Sequence, residues 1–142
     1  MSEEASATIT GVHHFSPTVT DVEASAAWYE KVFSMIRLPI TFPHHDKEET
    51  GYAVLLLDPV SGFVIGLHHH ESNEGEEFQE SRTGLDHMGF GVSSRESLDE
   101  WVKKLDDLGV EHSGIRDISE PAPFSTLVFR DPDNIQLELV YQ

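Results

Sequence analysis

Hydrophobic and polar positions alternate along much of the chain, and twice the alternation gives way to helical spacing. Strand patterning runs over Val12–Val19, Leu38–Phe42, Tyr52–Leu57 and Phe63–His68, and again over Asp86–Val92, Phe124–Phe129 and Ile135–Tyr141. After the first strand Asp21 supplies a helix N-cap. After the fifth, Ser93 or Ser94 does the same, and Ser93 with Glu96 has the S-x-x-E spacing of a capping box. The second helix carries an apolar stripe of Leu98, Trp101, Leu105 and Leu108, and Gly109 stops it. "DPVSG" and "DPDN" read as hairpin turns with proline at the second position.

The pattern repeats. At an offset of 73 residues His14 meets His87, Val19 meets Val92, Trp28 meets Trp101, Lys31 meets Lys104, and Asp58-Pro59 meets Asp131-Pro132. Each half reads as strand, helix, then several strands. The polar, acidic stretch Glu71–Gly84 between them reads as a solvated linker within one domain, with module one at about 8–70 and module two at about 85–142.

Strand alternation sets side-chain directions. Ile135, Leu137 and Leu139 share a face suited to packing on helices, which turns Gln136, Glu138 and Val140 the other way. A mid-strand glutamate is anomalous, because burying it unpaired costs several kcal/mol, so it is paired or on a metal. Met88, Phe90 and Val92 form the apolar side of the fifth strand, and His87, Gly89 and Gly91 face away, with open space beside the glycines. His14 shares its side with Ser16 and Thr18, while His13, Phe15, Pro17 and Val19 face the helices. His14, His87 and Glu138 therefore all point into a common concave side. Two neutral imidazoles and a carboxylate suit a divalent metal with open positions.

Composition narrows the partners. The chain has 142 residues, 38% hydrophobic and 25% charged, which is enough for one soluble globular core. A net charge of −17 argues against nucleic acid or an anionic membrane surface as partner. The longest aliphatic run, "AVLLL", is too short to span a bilayer, and "MSEEASAT" has no secretion-signal pattern. Together with the absence of cysteine, this leads to the expectation of a cytoplasmic protein without disulfides or thiolate metal sites.

The remaining histidines have plainer expectations. In "FVIGLHHHES" alternation turns His68 toward the cavity, His69 toward the helix side or strand end, and His70 toward the linker. His13 is expected as a satisfied histidine on the core side, His44 and His45 as solvated in the polar loop "FPHHDKEE", and His112 on the surface. Trp28 and Trp101 are expected to pack helices.

The chain resembles the vicinal oxygen chelate superfamily, which includes glyoxalase I, extradiol dioxygenases, and fosfomycin- and bleomycin-resistance proteins. The resemblance runs from about Thr8 to Tyr141 and rests on "VHHFSPTVTDVEASAAWYEKVF", "GLDHMGFGV" and "FRDPDNIQLELV". In these segments a histidine precedes the aspartate by seven residues and a glutamate follows another aspartate by seven. The resemblance implies an α+β fold of two βαβββ modules whose curved, barrel-like mixed sheet carries the helices outside. It also implies metal ligands at His14, His87 and Glu138. A fourth ligand position of glyoxalase I-like members falls on Gly66, a departure that moves the expectation away from strict glyoxalase I chemistry. His68, two residues on, is a candidate fourth ligand, substrate contact or catalytic group, with Tyr52 and Tyr141 as looser catalytic candidates.

The expected function is that of an enzyme with one divalent Fe, Mn, Ni, Zn or Co ion per site. It would act on a small oxygenated substrate by dioxygenase, isomerase or lyase chemistry. The alternative is a metal-free binding protein of the bleomycin-resistance type, which the excess of acid would suit. A homodimer is expected, with modules paired within one chain or exchanged between two.

Overall fold

The computed structural model describes residues 7–44 and 48–142. In the first module β1 (His14–Phe15) leads to α1 (Val22–Phe33), followed by β2 (Ile36–Phe42), β3 (Gly51–Leu57) and β4 (Val64–His70). The second module repeats the plan with β5 (His87–Gly91), α2 (Arg95–Asp107), β6 (Arg116–Ile118), β7 (Phe124–Arg130) and β8 (Gln136–Tyr141). Each module forms its own four-stranded mixed sheet, in the orders β1-β4-β3-β2 and β5-β8-β7-β6. The first strand of each module pairs parallel with the last, and the other pairs are antiparallel. The structure is thus α+β, with two βαβββ units related by the sequence repeat.

The helix ends follow local chemistry. The Asp21 carboxylate accepts the Ala24 N–H at 3.1 Å and caps α1. The cap of α2 is Ser94, whose hydroxyl accepts the Ser97 N–H at 3.1 Å, one position later than the capping-box spacing of Ser93 with Glu96. Gly109, at φ +72°, takes the left-handed conformation that ends the helix.

The two modules share one core. Val54, Leu56, Ile65 and Leu67 from the first sheet join Leu127, Leu137 and Leu139 from the second, with Leu98 and Leu105 of α2. Trp28 and Trp101 pack against this cluster, as expected. Polar links also cross between modules. The Tyr29 hydroxyl donates to Asp131 at 2.8 Å, and Thr20 donates to Asp133 through its N–H at 3.1 Å and its hydroxyl at 2.5 Å. The faces of β8 fall as alternation requires, with Leu137 and Leu139 buried and Glu138 turned to the opposite, concave side.

Several expectations need correction. The first strand shrinks to two residues because Pro17 interrupts it, although Thr18 still bridges to His68. β4 continues through His70, so that residue ends a strand rather than opening the linker. β6 has too few residues to announce itself by alternation. The acidic connection is also less free than its composition suggests. Phe78 N–H bonds to the Asp133 carbonyl, Asn134 bonds back to the Phe78 carbonyl, and Arg130 grips Glu80 at 2.8 and 3.0 Å.

Candidate metal centre

β5 and β8 run in parallel, with Gly89 beside Glu138. A Cβ at Gly89 would sit 3.7 Å from Glu138 Oε1, so the glycine leaves that oxygen open. His87, next but one, brings Nε2 to 3.4 Å from the same Oε1. The outer nitrogen of the ring is occupied: His87 Nδ1 lies 2.7 Å from Asp86 Oδ1. A carboxylate can only accept, so Nδ1 carries a proton, and Nε2 is the ring nitrogen left to face Glu138. A carboxylate that fixes an imidazole tautomer in this way is the usual support of a metal-ligating histidine. Glu138 is anchored too, because Thr126 Oγ1 donates to Oε2 at 2.6 Å. The donor types fit a divalent cation, which His87 and Glu138 would help to hold.

His14 belongs to the other sheet. It lies on the exposed β1 edge strand, with Nδ1 2.7 Å from His13 Nδ1. Within one chain, His14, His87 and Glu138 do not each bring a ligand atom within 4.8 Å of the others, a spacing reached among the described residues by a different trio, His44, His68 and His70. The structure brings His87 and Glu138 together on adjoining strands, while His14 comes from the other sheet.

The other histidines differ from expectation more sharply. His13 is exposed and not core-side. His44 is 5% exposed, although the loop around it is polar. It folds back over β4, stacking on His70 at 3.9 Å and bonding to the His69 carbonyl. His45 lies outside the described residues. His112 is partly buried and bridges Asp106 and the Gly114 N–H.

His68 does share the concave side, above Gly66, where an added Cβ would come within 2.9 Å of Ser16 Oγ. Burial first, then the neighbouring His44, His70 and His14, holds its imidazole below the usual range. Tyr52 faces the helices, with its ring against His69 and the core. Tyr141 is exposed at the end of β8. A cavity of about 720 Å³ opens between Phe15, Phe33, Phe63, Phe90 and Trp101, and Gly89 also lines it.

Two βαβββ modules with a histidine–carboxylate pair on adjoining strands define the class as an α+β scaffold built from a repeated unit. Comparison makes it specific: residues 11–139 match the Glyoxalase/Bleomycin resistance protein/Dioxygenase superfamily, and the chain belongs to that family. It is 30% identical over 138 residues to the metallothiol transferase FosB of Bacillus licheniformis, covering 92% of this chain and 75% of that protein. Among solved structures, a glyoxylase/bleomycin resistance protein/dioxygenase domain from Frankia sp. EAN1pec aligns with TM-score 0.80 and 30% identity, over 94% of this chain and 93% of the other. The fosfomycin resistance protein FosX of Listeria monocytogenes, solved with Mn(II) and sulfate, aligns with TM-score 0.64 and 21% identity over 95% and 94%, a likeness of fold. Among the described residues no helix is long and apolar enough to cross a membrane.

Proposed function

We propose that this protein is a metal-dependent enzyme that acts on a small oxygenated substrate, with His87 and Glu138 of one chain and His14 of a second as ligands. The observation that carries the reading is the Asp86–His87–Glu138 arrangement, in which an imidazole nitrogen and a carboxylate oxygen face one another at 3.4 Å. Two imidazoles and one carboxylate leave adjacent positions free for substrate oxygens. When bound, the divalent ion (Fe, Mn, Ni, Zn or Co) would polarise those oxygens as a Lewis acid. Around it, Asp86 holds the His87 tautomer and Thr126 holds the Glu138 rotamer. Gly89 and Gly91 leave the approach open.

The identity with the metallothiol transferase favours group transfer or addition at a metal-polarised substrate over dioxygenation, with isomerase and lyase chemistry close beside it. Separation of His14 from the pair within one chain favours the exchanged homodimer. Exposed Val12 and Leu85, near the edge strands β1 and β5, and Ile36, Ile40 and Phe42 on β2 give such a dimer apolar surface to cover. Mixing His14→Ala chains with Glu138→Ala chains tests this. The exchanged form regains one complete site in each mixed dimer and with it metal binding, whereas a site confined to one chain regains none.

Metal analysis of tag-free protein tests the centre itself. If His14→Ala, His87→Ala and Glu138→Ala all leave metal content unchanged, the assignment is wrong. The aromatic-lined cavity supports a second reading, metal-free binding of a cationic drug. Stabilisation by such a compound in chelator, with no response to metals, would favour it over the enzyme.

A further inference from the structure

We infer that His44, His68 and His70 form a second metal site, separate from the one at His87 and Glu138, that takes a borderline transition ion such as Zn(II), Co(II) or Ni(II). One ligand nitrogen from each of the three histidines lies within 4.8 Å of the others. His68 and His70 are alternate residues of β4 and project from the same face, while His44 comes down onto them from the segment after β2.

Tautomers set the direction of the lone pairs. His44 Nε2 is 2.9 Å from the His69 carbonyl oxygen, which can only accept, so Nε2 holds the proton and Nδ1 is bare. That bare nitrogen points at His68 Nδ1, 2.9 Å away. Backbone carbonyls commonly orient metal-binding imidazoles through the distal N–H in this manner. In a tetrahedral site with metal–nitrogen bonds of about 2.0–2.1 Å, two nitrogens would stand about 3.3 Å apart, so this pair needs to open by only about 0.4 Å. The third ligand, His70, stacks on His44 and has a ring nitrogen within the same 4.8 Å. Three imidazoles without thiolate or carboxylate suit Zn, Co, Ni or Cu better than Mg, Ca or Mn.

The backbone is shaped around this contact. Gly51, paired with His70 in β3, has φ +148°, and a Cβ there would lie 2.5 Å from His44 Nε2 and closer still to the His69 carbonyl. Any side chain at 51 would push His44 off its carbonyl. His44 is almost wholly buried, whereas His68 and His70 are half-buried, so open coordination positions face the concave side. The two sites are distinct. They share no ligand: the trio comes from β4 and the segment after β2, whereas the proposed centre takes His14 from β1 and His87 and Glu138 from β5 and β8.

The test is Co(II) and Zn(II) titration of chelator-stripped, tag-free full-length protein. A chain with both His87→Ala and Glu138→Ala is expected to keep one equivalent, with the visible spectrum of nitrogen-ligated Co(II). Adding His44→Gln is expected to abolish it. His44→Gln alone is expected to lose one equivalent while the His87–Glu138 site keeps its own. Should His44→Gln unfold the chain by circular dichroism, His70→Gln at the partly exposed rim gives the same reading. The inference is overturned if the His87→Ala, Glu138→Ala chain binds no ion, or if its equivalent survives both His44→Gln and His70→Gln. Failure of the proposed catalytic centre would show separately, as wild-type metal content unaffected by His87→Ala.

Discussion

Tyr29 of α1 and Asp131 of the β7–β8 turn are bonded across the module boundary, hydroxyl to carboxylate at 2.8 Å, with both side chains buried. The other carboxylate oxygen accepts the Asp133 and Ile135 N–H groups at 2.9 Å each. One buried residue thereby shapes the turn that starts β8 and fastens it to the first module.

Tyr29→Phe removes one acceptor's partner without changing the ring, and is expected to cost about 1–3 kcal/mol of stability in denaturant unfolding. The loss should depend on pH. Burial raises the folded Asp131 carboxyl above its ordinary value, despite its hydrogen bonds. A raised carboxyl favours folding below its unfolded value and loses that contribution as pH rises through the folded one. The Tyr29 hydroxyl offsets part of this by binding the ionised form. The penalty of Tyr29→Phe is therefore expected to be larger at neutral pH than near pH 4, and an equal penalty at both would contradict the assignment.

Asp86→Asn keeps every proposed ligand but weakens the acceptor that fixes the His87 tautomer. Metal affinity in the chelator-stripped protein is expected to fall about 10–100-fold, with thermal stability of the metal-free form little changed. Thr126→Val frees one oxygen of Glu138 and is expected to weaken affinity in the same direction. Unchanged affinity in both variants would separate Asp86 and Thr126 from the metal.

Glu80 is held by Arg130 through two bonds, and this partner lowers its pKa from 4.5 to about 2. A depressed carboxyl stabilises the fold above its unfolded pKa, and that contribution disappears as pH falls from about 4.5 toward about 2. Glu80→Gln is expected to flatten the acid limb of the stability profile across that window. Hydrogen exchange at Phe78 and Asn134 should then speed up, because the connection between modules loses one clasp. No change in either observable would show the ion pair to be incidental.

Much of this was legible in the sequence, for a specific reason. β5 and β8 are regular strands, so period-two alternation places His87 and Glu138 on the concave side and Leu137 and Leu139 in the core, as found. Asp21 and Gly109 act as helix signals through local bonding alone. His44 was illegible because its burial depends on a loop folding over β4, where Gly51 permits the contact. A glycine directly opposite the last histidine of "HHH" was the available signal. His70 was misdirected because its strand runs two residues beyond the apolar pattern that predicts it. Whether His14 meets His87 could not follow from alternation, which gives a face but not which sheet, or which chain, lies opposite.

Gly66 bears on how readily such sites interconvert. With one extra residue allowed in "DPVSG", the repeat sets Gly66 against Glu138, and at the plain offset Ser16 against Gly89, so each module keeps one small residue and one larger neighbour, with the strands reversed. A Cβ at 66 would stand 2.9 Å from Ser16 Oγ and 3.2 Å from Leu55 Cδ2. Gly66→Glu alone is expected to destabilise the chain by roughly 1–3 kcal/mol through overpacking, and Ser16→Gly in the same chain to restore part of that loss. Denaturant midpoints of the single and double variants measure the coupling. The order of substitution would then matter: a carboxylate at position 66 is expected to be tolerated best in a chain whose neighbouring strand already carries Ser16→Gly.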